Sequence, residues 1–363
     1  MNELSSLARV ANDGSKRKFG SILYSLGEKM KKPFSVLIAM FIAFGVHAQT
    51  TEPLKLVQTI KLPPAVKGHF DHFEVDLKGN RLFATPEGYQ SVLVFDLKTG
   101  KLIHTIGGIG KSHAVLYRED LNRIYVTDGD AGDVKIFDGK SYAFLSSVKL
   151  LEDADSIGYD PATKYLYVDN GGGDVHQPYS MLSVVDTTAG KKVADIKIDG
   201  DTLEAMALEK SGSKIYVNNK AKNQVDVVDR DKREVIAHWP VTKCKPNVAL
   251  GFDEASHRLF VACRDGQLDV IDTQTGKELT TLPITKGVDD LVYDAASKRI
   301  YSAGDGSVDV YAQTDPNNYK LLGKVPTGPL GKTARLVPEL HRYFVAVPQN
   351  GTQSAEILVF AVL

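Results

Sequence analysis

Arg123-Ile124-Tyr125-Val126-Thr127 is a polar residue followed by β-prone residues, and the same short pattern returns six more times along the chain. The other copies are Arg81-Leu82-Phe83, Tyr165-Leu166-Tyr167-Val168, Lys214-Ile215-Tyr216-Val217, Arg258-Leu259-Phe260-Val261, Arg299-Ile300-Tyr301 and Arg342-Tyr343-Phe344-Val345. Their starts are 42, 42, 49, 44, 41 and 43 residues apart. A repeat of this length built from short strands predicts propeller blades, whereas a helical solenoid would show a 3.6-residue hydrophobic period.

Working outward from each copy, a second apolar strand follows and ends in aspartate, as in Val94-Phe95-Asp96, Ile136-Phe137-Asp138, Val184-Val185-Asp186, Val227-Val228-Asp229 and Val270-Ile271-Asp272. The aspartate opens a tight turn by bonding nearby amides, and Gly100, Gly190 and Gly276 in blades 1, 3 and 5 supply the positive φ that closes it. An outer strand comes next, for instance Leu102–Ile106, so each blade is a four-stranded antiparallel sheet. The seventh copy runs out at Leu363 with no outer strand of its own. Leu54-Lys55-Leu56-Val57-Gln58-Thr59-Ile60-Lys61-Leu62 has the outer-strand pattern and stands ahead of blade 1. The expected fold is therefore all-β: a seven-bladed propeller, spanning 49–363 as one domain, whose ring is closed by this N-terminal strand.

Ahead of it, Met30-Lys31-Lys32, an apolar run from Phe34 to Val46 and the small-residue site ending at Ala48 read as a secretory signal peptide over 30–48. The apolar run is short of the roughly 20 residues that span a bilayer, so export to the periplasm or exterior is expected, with no membrane span after cleavage. Residues 1–29 carry no periodic pattern and are read as an upstream extension or disordered leader. After removal of 1–48, 37 basic residues face 42 acidic ones, a formal charge of −5, which disfavours nonspecific nucleic-acid binding. The two cysteines, Cys244 and Cys263, are too few for a disulfide framework but are placed at one face of blade 5, where a single bridge would pin a loop.

Strands such as Arg123-Ile124-Tyr125-Val126-Thr127 and Lys214-Ile215-Tyr216-Val217-Asn218-Asn219, repeated after a signal sequence, resemble the YVTN family of bacterial β-propellers, including its YncE-like periplasmic members. The resemblance covers 54–363 and implies architecture more than activity, because similar propellers serve as lactonases, lyases, quinoprotein dehydrogenases and binding modules. Quinoprotein propellers resembling this one repeat a tryptophan in every blade, and this chain has Trp239 alone, which argues against a quinone cofactor.

In a propeller the first strand of each blade lines the central channel. Ten residues before each repeat stand Asp71, His113, Asp155, Glu204, Val248, Asp289 and Lys332, six of them ionisable. With the neighbours His69, His72, Asp153 and Asp290 they would converge on one mouth and bind a ligand, hold a divalent metal ion, or act as acid and base. A wet channel that simply tolerates polar groups is the competing reading. The longest loop, Asp169-Asn170-Gly171-Gly172-Gly173-Asp174-Val175-His176-Gln177-Pro178, opens on the same face; its polarity would suit calcium, but its spacing fits no EF-hand and it is read as a connector.

No G-x-S-x-G, C-x-x-C-H, P-loop or H-E-x-x-H motif occurs. The first expectation is a binding module that uses the channel mouth and top loops to recognise a small molecule, a glycan or an envelope protein. The alternative is a metal-assisted, lactonase-like hydrolase or lyase in which Asp71, Asp155, Glu204 or Asp289 and a histidine hold the ion. Single-stranded DNA binding would need a basic, aromatic groove that this acidic chain does not suggest.

Overall fold

The computed structural model describes residues 52–363; the leader and signal-peptide expectations fall outside them. The described residues form seven four-stranded antiparallel sheets. From the channel outward, blade 1 runs Phe70–Asp76, Arg81–Pro86, Val92–Asp96 and Leu102–Ile106, and blades 2 to 6 repeat that order. Blade 7 takes Thr333–Val337, Arg342–Val347 and Glu356–Val362 from the C-terminus and its outer strand, Leu54–Lys61, from the N-terminus. Leu54 pairs with Val362 and Lys61 with Glu356, so the two ends of the fold meet in one sheet, as expected.

The repeat works because its second strand buries both faces. In blade 2, Ile124 and Val126 point into the cluster shared with blade 1, while Tyr125 points into the cluster shared with blade 3. The same alternation places Phe83, Tyr125, Tyr167, Tyr216, Phe260, Tyr301 and Phe344 at 0–2% exposure. Seven hydrophobic clusters result, one in each seam between neighbouring blades. Each such aromatic removes on the order of 150–250 Å² from water, so the seams, not the channel, carry the core.

The tight turns behave as read. Gly100, Gly190 and Gly276 have φ of 70°, 64° and 71°. Tyr142 and Arg233 hold the same left-handed conformation in blades 2 and 4, at 60° and 59°, because their amides still close on the carbonyls of Asp138 and Asp229.

A feature the repeat did not reveal is a bulge at one register in every outer strand. Its extra residue is Val57, Ile103, Leu145, Val193, Ile236, Leu279 or Leu322. Bulges break the flat hydrogen-bonding edge that would otherwise template pairing with another chain. That protection coincides with apolar side chains left outside, such as Ile103 at 49% and Leu145 at 49% exposure.

Cys244 and Cys263 form a disulfide. In the third strand of the same blade, Gln267–Asp272, Asp269 is fully buried and neither of its carboxylate oxygens has a donor. Burial and the neighbouring Glu278 carboxylate push its pKa up to about 8, while that of Glu278 is lowered. The folded protein thus keeps a proton that the unfolded chain releases near pH 4. Stability should fall as pH rises from about 4 towards 8. Asp269→Asn keeps a donor without the titration, so its melting temperature should overtake that of the parent at pH 8 and lose that lead at pH 5; a lead unchanged between the two would contradict this. Deletion of Leu54–Lys61 should lower the melting temperature by about 10 °C or more, and a synthetic peptide of that strand should restore part of it.

Candidate functional site

The inner strands deliver the seven aligned positions to one level. Asp71, His113, Asp155, Glu204, Val248, Asp289 and Lys332 all line a single cavity of about 160 Å³ at the channel mouth. The next level down is mostly small, with Ala114, Ser156, Ala205 and Ala249, and here the channel widens into a second cavity of about 350 Å³. His72 and Asp289 line both cavities, and Asp290 lines the lower. Further down the wall turns apolar, through Phe73, Leu116, Ile157, Met206, Leu250 and Leu291, and Glu74 and Arg335 form an ion pair across it at 3.1 Å.

The mouth is asymmetric. On blades 1 to 3, Asp71 is gripped by two imidazoles: its Oδ1 is 3.2 Å from His72 Nε2, and its Oδ2 bonds His113 Nδ1. His113 Nδ1 is also 3.3 Å from Asp155, and His72 Nδ1 is 3.4 Å from Asp290. Asp290 is in turn fixed by the Ala334 N–H at 2.7 Å. Across the channel, Asp289 accepts from Arg264 at 2.7 Å and Lys332 at 2.9 Å, while Glu204 accepts from Lys220 at 2.6 Å.

Protonation follows from these contacts. Burial alone would lower the pKa of His113, but the charge of Asp155 and the bond to Asp71 lift it to about 9. His72 is likewise raised well above the usual value, burial being outweighed by Asp71 and Asp290. Asp71 is held below the usual carboxylate range, its burial outweighed by His72 and His113. Burial pushes Asp155 up to about 7 against the opposing pull of His113, with repulsion from Asp71 and Glu204 adding to the rise.

His69 does not join this set. It is exposed ahead of the blade 1 inner strand and lines neither cavity, and its carbonyl accepts the Glu87 N–H. Lys111, Arg264 and Asp169 were not singled out from sequence. Arg264 follows the second strand of blade 5, outside the inner-strand alignment. Asp169 had a signal: the residue four after each repeat start is Thr85, Thr127, Asp169 and Asn218 in blades 1 to 4 but Ala262, Ala303 and Ala346 in blades 5 to 7. Those polar residues brace the site, Thr85 Oγ1 donating to the His72 carbonyl at 2.9 Å and Thr127 Oγ1 to that of Asp155 at 3.0 Å. The long loop of blade 3 is a short 3-10 turn, Gly172–Val175, tied down by the Gly173 N–H to the Asp201 carbonyl at 2.9 Å.

No protein-family model matches the chain. The uncharacterised protein YncE of Salmonella typhi is 32% identical over 115 residues, which is 31% of this chain and 32% of that protein. YncE of Salmonella typhimurium is 31% identical over an equal span, 32% of its length. Over that segment the chain is similar to YncE, and its fold is a seven-bladed β-propeller. Its matched segment spans about a third of those relatives. THO complex subunit 3 of Arabidopsis thaliana is 21% identical over 267 residues, 71% of this chain and 79% of that protein. Among solved structures, Kuenenia stuttgartiensis hydrazine synthase superposes with a TM-score of 0.66 at 16% identity, over 84% of this chain and 98% of that one, a likeness of fold alone.

His113 is the keystone of the acidic side, only 3% exposed and between two carboxylates. Removing one partner of a buried ionic set leaves the others uncompensated, so His113→Asn should cost about 3 kcal/mol in urea unfolding at neutral pH. A loss below about 0.5 kcal/mol would show that the set is solvated rather than buried.

Proposed function

We propose that this YncE-like propeller is a binding module that takes a small polar molecule, bearing an anionic group and hydroxyl or amine donors, into its channel mouth. The observation that supports this is the division of the ring: carboxylates and imidazoles on blades 1 to 4 face Arg264 and Lys332 on blades 5 and 7, and both cations converge on the one carboxylate of Asp289. An anionic group of the ligand would bind there by charge-assisted hydrogen bonds, while Glu204 and Asp155 accept from its donors. A mouth of about 160 Å³ opening on about 350 Å³ suits a small molecule or the end of a glycan better than a protein surface. Nucleic acid fits poorly, since Asp71, Glu87, Asp155, Glu204 and Asp289 give the mouth an acidic lining that would repel a chain of phosphates. Export to the cell envelope is part of the proposal and rests on the Met30–Ala48 pattern. The hydrolase or lyase alternative draws on the same ring and requires a cation held by Asp71, Asp155, Glu204 or Asp289 and a histidine.

The test is thermal-shift screening of the purified chain against sugar acids, amino acids and other small carboxylates, followed by calorimetry. Binding should weaken at least tenfold in Arg264→Gln and Lys332→Gln and persist in Lys277→Gln, on an exposed outer strand. Binding that both channel variants leave intact, or no binding at millimolar concentration across the panel, would overturn the reading.

A further inference from the structure

We propose that Asp71, His72 and Asp155 form a divalent transition-metal site on the wall of the mouth, suited to Zn²⁺ or Mn²⁺. One donor atom from each lies within 4.8 Å of the other two, and Asp71 Oδ1 stands 3.2 Å from His72 Nε2. That is about the spacing of neighbouring ligands on an ion with bonds near 2.1 Å. Two carboxylates and one imidazole suit Zn²⁺ or Mn²⁺ better than the all-oxygen shell that calcium prefers.

The surroundings have the form that supports ligands in metal sites. A ligating histidine characteristically gives its second ring N–H to a carboxylate. His72 Nδ1 faces Asp290 at 3.4 Å, and Asp290 is anchored by the Ala334 amide, so Nε2, beside Asp71 Oδ1, is the nitrogen that would meet an ion, which would displace its proton. The second oxygen of Asp71 is held by His113 Nδ1, so Oδ1 is the one presented. Asp71 and His72 are consecutive, yet both line the mouth, because the register shift between Phe70 and Phe73 interrupts the strand's alternation there; Asp155 arrives from two blades away.

An independent observation points to a missing partner. His113 and Asp169 are each only 3% exposed, yet His113 Nε2 and Asp169 Oδ1 have no hydrogen-bond partner. Both adjoin Asp155: His113 forms an overlapping donor triple with Asp153 and Asp155, and the Asp155 amide donates to the Asp169 carbonyl. Unpartnered buried polar atoms cost about 1–3 kcal/mol each; His113 Nε2 turns towards Gly129, whereas the Asp169 carboxyl acts directly on Asp155, so a cation at this wall would relieve the acid beside Asp155. Glu204 and Asp289 do not belong to the site, because Lys220, Arg264 and Lys332 already occupy them.

The inference goes beyond ligand binding at Arg264 and Lys332 and is tested without any organic ligand. The full chain is stripped with chelator and titrated calorimetrically with Zn²⁺ and Mn²⁺ alone, with bound metal counted by mass spectrometry. One ion per chain is expected, with affinity falling at least tenfold in His72→Ala and in Asp155→Asn and unchanged in Asp195→Asn, an acid of the outer strand of blade 3. Because a wall variant could unfold, Co²⁺ bound to the unmutated chain provides a second readout: its visible absorption should report imidazole ligation, and circular dichroism should show the variants folded. Absence of stoichiometric metal, a Co²⁺ spectrum of oxygen ligands only, or folded variants that bind as tightly as the parent would each overturn the site while leaving the Arg264 and Lys332 result to stand or fall by itself.

Discussion

Everything in this propeller depends on the pairing of Leu54–Lys61 with Glu356–Val362. A blade contributes half of two seams, so no blade can bury its apolar faces without both neighbours. An open row of seven would leave the faces of blades 1 and 7 in water. The N-terminal strand prevents this by belonging to blade 7 while its chain continues into blade 1. Ile60 lies in the same cluster as Phe73 and Leu93 of blade 1, and Leu54 in the cluster between blades 6 and 7. Closure is therefore both a hydrogen-bonded and a hydrophobic event.

Closure also explains where polar chemistry can sit. With the core confined to the seams, the inner strands need only half of their surface for packing. Their other half faces a channel too narrow for bulk water to solvate charges freely, yet too polar to exclude them. Charged residues placed there must satisfy one another, and the mouth does so with few pairs shared: Asp289 takes two cations, Asp71 two imidazoles. Such a ring resembles a preorganised polar surface more than a stability device, because removing charges from water offsets most of what their attraction gains.

The architecture was legible because it rests on properties that a single chain repeats: strand alternation, the Asp-to-Gly turn and the blade period. Counting back from the repeats located the ring residues, since a strand fixes which side chains share a level. What the sequence did not show has a physical reason in each case. His69 was grouped with His72, but it stands two residues ahead of the aligned level at Asp71, and its side chain is exposed rather than in the channel wall. Arg264 and Lys111 reach the mouth from loop ends, where no periodicity assigns a direction. The outer-strand bulges were invisible because a bulged residue is apolar like those that alternate along a regular strand, and only its register betrays it.

Within the ring, the unevenness between blades is the most informative residue pattern. A structural preference for polar channel walls would act on all seven inner strands alike, as the seam aromatics do. Instead the brace position within the second strand is polar in blades 1 to 4 and alanine in blades 5 to 7, and Val248 interrupts the ionisable series at blade 5. Thr85 and Thr127 spend their hydroxyls on the carbonyls of His72 and Asp155, the very residues around which the imidazoles gather. Blades 5 and 7, which supply Arg264 and Lys332, carry alanine at that position. The symmetry of the fold has thus been broken in the side chains of one level and in the residues that hold them, which is what recognition of an asymmetric guest requires and what a merely wet channel does not.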